Sequence, residues 1–153
     1  MSENAHVAFV VAPVGVHHVR LTVTDIVRSK NFYSQIFGVQ PAVDFSDDIA
    51  EPGVKDDPER LFGGCVFSFG DQLVGLRPAA TAPDSFDSTR VGLDHISLTV
   101  GSMGDLHGAV ERLTASGIAH GEVKELPEQG MAILSLQDPD DINLELTALL
   151  PKD

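Results

Sequence analysis

One strand of this chain is written twice. Val16-His17-His18-Val19-Arg20-Leu21-Thr22-Val23 lies over Leu93-Asp94-His95-Ile96-Ser97-Leu98-Thr99-Val100, and His18 falls on His95. Both copies alternate strictly, with Val19, Leu21 and Val23 answering Ile96, Leu98 and Val100, as half-buried strands require. His18 and His95 are thereby turned to the opposite face. A helix-start signal follows each strand: Thr24-Asp25 in the first copy, and Ser102 with Asp105 three residues on in the second. Helical spacing comes next, carried by Ile26, Phe32, Tyr33, Ile36 and Phe37 and then by Met103, Leu106, Val110 and Leu113. Gly38 and Gly117 stand where a left-handed cap would end each helix.

Three short strands are expected after each helix, at 39–46, 64–69 and 72–77 and at 118–125, 131–137 and 142–148. The chain is thus α+β, two tandem βαβββ modules whose sheets form a cup. Module one spans about 15–78 and module two about 93–149, within one domain covering 1–153. A linker at 79–92, rich in Pro, Asp, Ser and Thr, joins them. Asp47 to Leu61 carries Pro52, Gly53, Pro58 and six acids, and is expected to be a long, partly mobile loop.

Charge and cysteine content exclude several functions. Ten basic against 23 acidic residues give a net charge of -13, which repels phosphate backbones and anionic lipid surfaces. Nucleic acid and membranes are therefore poor partners. Cys65 is the sole cysteine, so neither an intrachain disulfide nor a cysteine-based zinc knuckle is available. The apolar run from Val7 to Pro13 is too short to span a bilayer. A cytoplasmic protein is expected.

The chemistry is expected on the inward faces. In Ile142-Asn143-Leu144-Glu145-Leu146-Thr147 the aliphatic residues face the helix, leaving Asn143, Glu145 and Thr147 to the cavity. A carboxylate or imidazole there is costly unless it is paired or ligated. His18, His95 and Glu145 together make a two-histidine, one-carboxylate set suited to Fe, Mn, Zn, Co or Ni, with positions left open for substrate. Arg20, two residues beyond His18 on the same face, and Arg77, inward on the strand of Gly75, are the candidate substrate-binding cations. Gly75 itself offers room for a substrate. His17 is assigned to the outer face, and His6, His107 and His120 to the surface.

These motifs resemble the vicinal oxygen chelate superfamily of glyoxalases, bleomycin-resistance proteins and extradiol dioxygenases. The likeness rests on His18 to Asp25, Phe32-Tyr33 ahead of Phe37-Gly38, His95 to Val100, and Asp138-Pro139-Asp140 before Asn143-Leu144-Glu145-Leu146. It implies a cup around one divalent ion, which acts as a Lewis acid on neighbouring oxygens of a small substrate in a lyase, isomerase or dioxygenase. It also implies modules paired either within one chain or between two, with a homodimer preferred. The alternative is a metal-free small-molecule or antibiotic-binding protein of the bleomycin-resistance kind. Departures narrow the reaction. Gly75 stands where glyoxalase I-like members carry a fourth ligand, and Ser135 and Leu126 stand where ring-cleaving members carry a tyrosine and a histidine. The chain ends soon after Glu145, before the basic residues by which fosfomycin enzymes hold a phosphonate. No catalytic acid or base is assigned.

Overall fold

Both helices begin and end where the capping residues dictate. In this computed structural model, which describes residues 10–152, the Asp25 carboxylate accepts from the Arg28 amide at 3.0 Å to start α1 (Ile26–Phe37). Gly38, at φ 68°, ends it. The Ser102 hydroxyl accepts from the Asp105 amide at 3.1 Å to start α2 (Met103–Ala115), and Gly117 at φ 70° follows its end. Around α1 lie β1 (His18–Thr22), β2 (Val43–Asp44), β3 (Cys65–Phe69) and β4 (Gln72–Arg77). Around α2 lie β5 (Ile96–Thr99), β6 (Lys124–Leu126), β7 (Met131–Gln137) and β8 (Asn143–Leu149). Each set makes a four-stranded mixed sheet, ordered β1-β4-β3-β2 and β5-β8-β7-β6, so the two copies share one topology. The first strand of each runs parallel to the last, which pairs Arg20 with Gly75 and Ser97 with Glu145. Equivalent positions of the duplication therefore stand opposite one another.

Two strands are much shorter than the apolar pattern suggests. The Asp44 carboxylate accepts from the Ser46 amide at 2.8 Å and from Lys30 at 3.0 Å, and Lys30 also donates to Ser46 at 2.7 Å. These bonds turn the chain after Val43–Asp44 into a 3-10 turn, Ser46–Asp48. The Ser46 hydroxyl and amide hold Asp44 below the usual carboxylate range against its partial burial, and Lys30 adds to this. In module two, only an isolated bridge from His120 to Leu136 and the Gly121 amide bonding Ser135 precede β6. The acid-rich segment is not an open loop. Three 3-10 turns fold it, and Arg60 ties them together by pairing with Asp57 at 2.9 Å, Asp48 at 3.7 Å and Glu51.

The apolar faces of both sheets and both helices merge into one core, from Leu21, Phe67 and Leu76 to Leu106, Leu134 and Leu144. Cys65 belongs to it at 1% exposure, and burial pushes its thiol up to about 12, so it is unreactive at neutral pH. A polar clasp crosses between the modules. The fully buried Tyr33 of α1 donates to Asp138 at 2.8 Å, and Asp138 also accepts from the amides of Asp140 and Ile142. Burial and the nearby carboxylate raise the Tyr33 phenol, while burial outweighs those donors and raises Asp138. Two residues on, Asp140 accepts from the Thr24 amide at 3.0 Å, from the Thr24 hydroxyl and from Arg28 at 2.9 Å. Tyr33→Phe keeps the ring but strips a donor from a buried carboxylate. A loss of about 1–2 kcal/mol is expected, read as a lower urea midpoint at an unchanged m-value.

Among the described residues no helix is long and apolar enough to cross a membrane. His6 and the start of the Val7 to Pro13 run lie outside the described residues.

Candidate metal centre

Alternation in β8 buries Leu144 and Leu146 and turns Asn143 and Glu145 to the other face, above a cleft of about 730 Å³ lined also by Asp94, His95, Ser135 and Gln137. Glu145 is flanked by Ser97 on β5 and Ser135 on β7 in the strand register. Its side chain is 17% exposed and accepts from the Thr147 hydroxyl at 3.3 Å, while Thr147 is itself bonded to Ser97 at 2.5 Å. His95, on the segment entering β5, directs Nε2 to within 3.9 Å of Glu145 Oε1. Two ligands each about 2.1 Å from one ion can be up to about 4 Å apart, so this spacing suits a shared metal.

The other ring nitrogen supports the same use. His95 Nδ1 lies 2.5 Å from Asp94 Oδ1, a carboxylate–imidazole pair of the kind that fixes the tautomer and orientation of metal-binding histidines. The Asp94 hydrogen bond raises the imidazole above its ordinary value, and the Glu145 charge adds to the shift. Sequence reasoning paired Asp94 only with the outward His17 and missed this contact. The one available signal was a carboxylate immediately before a candidate ligand.

His18 is not brought to this pair. Among the described residues no group of three or more His, Cys, Asp or Glu side chains is placed to hold a metal ion. His18 opens β1 on the first sheet, with its Nδ1 2.9 Å from Nδ1 of His17, and lines a separate cleft of about 640 Å³ beside Ile96, Ser97 and Leu98 of β5. The expected triad is therefore split within one chain, because His18 stands on the edge strand of one sheet and His95 immediately precedes the edge strand of the other.

His107 is exposed on α2, as expected, whereas His120 is half-buried at the rim of the His95–Glu145 cleft. Both its ring nitrogens are occupied, Nδ1 donating to the Gly121 carbonyl at 2.6 Å and Nε2 accepting from Thr114 at 2.8 Å. Those bonds tie the turn after α2 and leave no free nitrogen for proton transfer.

The inward face of the first sheet is cationic instead. Arg20 pairs with Gly75 and Thr22 with Arg77 in the ladder, so both arginines share one face with His18. A Cβ at Gly75 would lie 3.4 Å from the Arg20 side chain, in van der Waals contact, so the Arg20 stem packs against the glycine. Where module two carries Glu145, module one carries a glycine with an arginine packed against it.

Comparison with known proteins places this geometry. The family model described as Glyoxalase/Bleomycin resistance protein/Dioxygenase superfamily matches residues 15–146. The chain belongs to that superfamily. A glyoxylase/bleomycin resistance protein/dioxygenase domain from Frankia sp. EAN1pec is 30% identical, covers 93% of this chain and 96% of its own, and superposes with a TM-score of 0.70. A lactoylglutathione lyase from Agrobacterium tumefaciens shares the fold at 17% identity and TM-score 0.63, over 89% of this chain and 94% of that one. A fosfomycin resistance protein from Listeria monocytogenes, solved with Mn(II) and a dihydroxypropylphosphonic acid, does so at 15% identity and TM-score 0.65, over 90% and 93%. No curated protein matches the sequence.

Proposed function

We propose that this chain is a metal-dependent enzyme of the superfamily, a lyase, isomerase or dioxygenase acting on a small substrate that offers neighbouring oxygens. The ion is held by His95 and Glu145 of one chain and by His18 of a second copy, in a homodimer. The reading rests on the approach of His95 Nε2 to Glu145 Oε1, with Asp94 behind the ring and Thr147 behind the carboxylate. His18 supports the second copy, because it lies on the inward face of the duplicate strand yet, among the described residues, joins no in-chain cluster placed to hold a metal.

A divalent ion bound there supplies Lewis-acid polarisation of substrate oxygens. The chain's own residues orient and confine the substrate. Asp94 keeps Nε2 of His95 turned inward, Thr147 holds Glu145, and Ser135 and Asn143 border the same cleft with groups that can donate to substrate oxygens. Buried Cys65, held as a thiol, suits a reducing cytoplasmic setting.

Calorimetric titration of chelator-stripped protein with Mn(II), Fe(II), Co(II), Ni(II) and Zn(II) tests the proposal, the iron arm being run without oxygen. Saturation near one ion per chain is expected for at least one of them. Absence of saturable binding across the series would sink it.

A further inference from the structure

Two arginines in a strongly acidic chain stand on one face without an acid. Arg28 and Arg60 pair with carboxylates, whereas among the described residues neither Arg20 nor Arg77 has one within salt-bridge distance. The acids sharing the cavity of Arg20 are engaged elsewhere: Asp84 with the Ser85 amide, Asp87 with Thr89, and Asp140 with Thr24 and Arg28. Arg77 Nε is buried and has no hydrogen-bond partner. A buried, unpaired guanidinium donor is costly, and a second guanidinium nearby adds repulsion.

Backbone strain holds the pair in place. Leu61 and Phe62 both adopt left-handed conformations, at φ 49° and 58°, just before Gly63 at φ 76°. Non-glycine residues take this region at a cost, so the surroundings must enforce it. The excursion sets the Phe62 ring 3.6 Å from the Arg77 guanidinium carbon and 6.0 Å from that of Arg20. The first distance is that of a guanidinium stacked on an aromatic face, which fixes its plane and leaves its edge free to donate. The Arg20 stem packs against Gly75, 3.4 Å from where a Cβ would stand.

We infer that Arg20 and Arg77, with Phe62 as their platform, form a binding site for an oxyanion, and that the substrate of this enzyme carries a carboxylate or phosphate group. A planar guanidinium fork matches either group in bidentate geometry. Arg20 lies two residues from His18 on the same strand face, roughly 6 to 7 Å along it, which puts the arginines on the sheet face that carries a proposed metal ligand. The substrate assignment rests on the proposed function; the anion site does not.

Inorganic phosphate and malonate, titrated separately into wild-type protein, Arg20→Gln, Arg77→Gln and Glu145→Gln at low ionic strength, test it. Wild type and Glu145→Gln are expected to bind one of the probes with equal affinity, the tighter probe naming the class. Arg20→Gln and Arg77→Gln should each weaken it by about tenfold or more. Arg77→Lys, which keeps the charge but not the fork, should fall between. Binding of neither probe to wild type, or binding by both arginine-to-glutamine variants as tight as that of wild type, overturns the inference. Because metal binding to wild type is titrated separately, failure of the metal reading appears as anion binding without metal binding, and failure of the anion site as the reverse.

Discussion

Glu145→Ala is expected to weaken divalent-ion binding by at least about 100-fold, since loss of an outer partner alone typically costs 10- to 100-fold and this removes a donor atom. Metal per chain in protein purified without chelator should drop from near one equivalent to a trace. Among the described residues Glu145 is the sole carboxylate within 4.0 Å of His95 Nε2, and its departure leaves imidazoles that bind hard divalent ions less well. The fold should survive, because Leu144 and Leu146 on the opposite face of β8 carry the packing and are untouched. An unchanged circular dichroism spectrum with lost metal separates ligand removal from unfolding. Asp94→Asn supplies the graded companion: it keeps the hydrogen-bonding shape but not the charge behind His95, and a decrease of about 10- to 100-fold is expected. Retention of full metal content by Glu145→Ala would falsify the assignment of this pair.

Mixing two defective chains should restore sites that neither has alone. If His18 is donated across a dimer, His18→Ala and Glu145→Ala each damage both sites of their own homodimer. A heterodimer of the two carries one doubly damaged site and one that is wholly intact. Random exchange in a 1:1 mixture makes half the dimers heterodimeric, so about a quarter of all sites become functional. High-affinity metal uptake after co-refolding reads this directly. Were the three ligands gathered within one chain, mixing would restore nothing, and the shared site would be excluded.

The duplication made the fold readable, because the same alternation, cap and glycine stop occur twice and each copy corroborates the other. Asp25, Ser102 and Gly38 all act as their residue types require. The strands that were overestimated, around 39–46 and 118–125, ended through side-chain chemistry that apolar spacing does not record: Lys30 and Ser46 capturing Asp44, and His120 held by Thr114. Inward residues of β8 were identifiable because period two fixes the face. Which sheet meets which was not, since edge-to-edge pairing of modules depends on tertiary and quaternary contacts, and so the separation of His18 from His95 and Glu145 could not be read. Phe62 escaped notice for a different reason. Nothing in Leu61-Phe62 announces a left-handed backbone, which is imposed by the surrounding Arg60-centred turns.

The exchange of Glu145 for Gly75 between equivalent strands bears on stereochemistry. Two equal halves would make a pseudosymmetric pocket in which a small molecule could lie in either of two reversed poses. In the proposed dimeric site, where the carboxylate–imidazole pair of one copy faces the guanidinium groups of the other, an anionic substrate in the reversed pose would set anion against anion. On the proposed enzymatic reading, a prochiral centre held between such unlike ends shows one face to the reacting groups, so a single enantiomer of product is expected from a duplication whose copies diverged at inward positions such as Gly75 against Glu145 and Arg20 against Ser97.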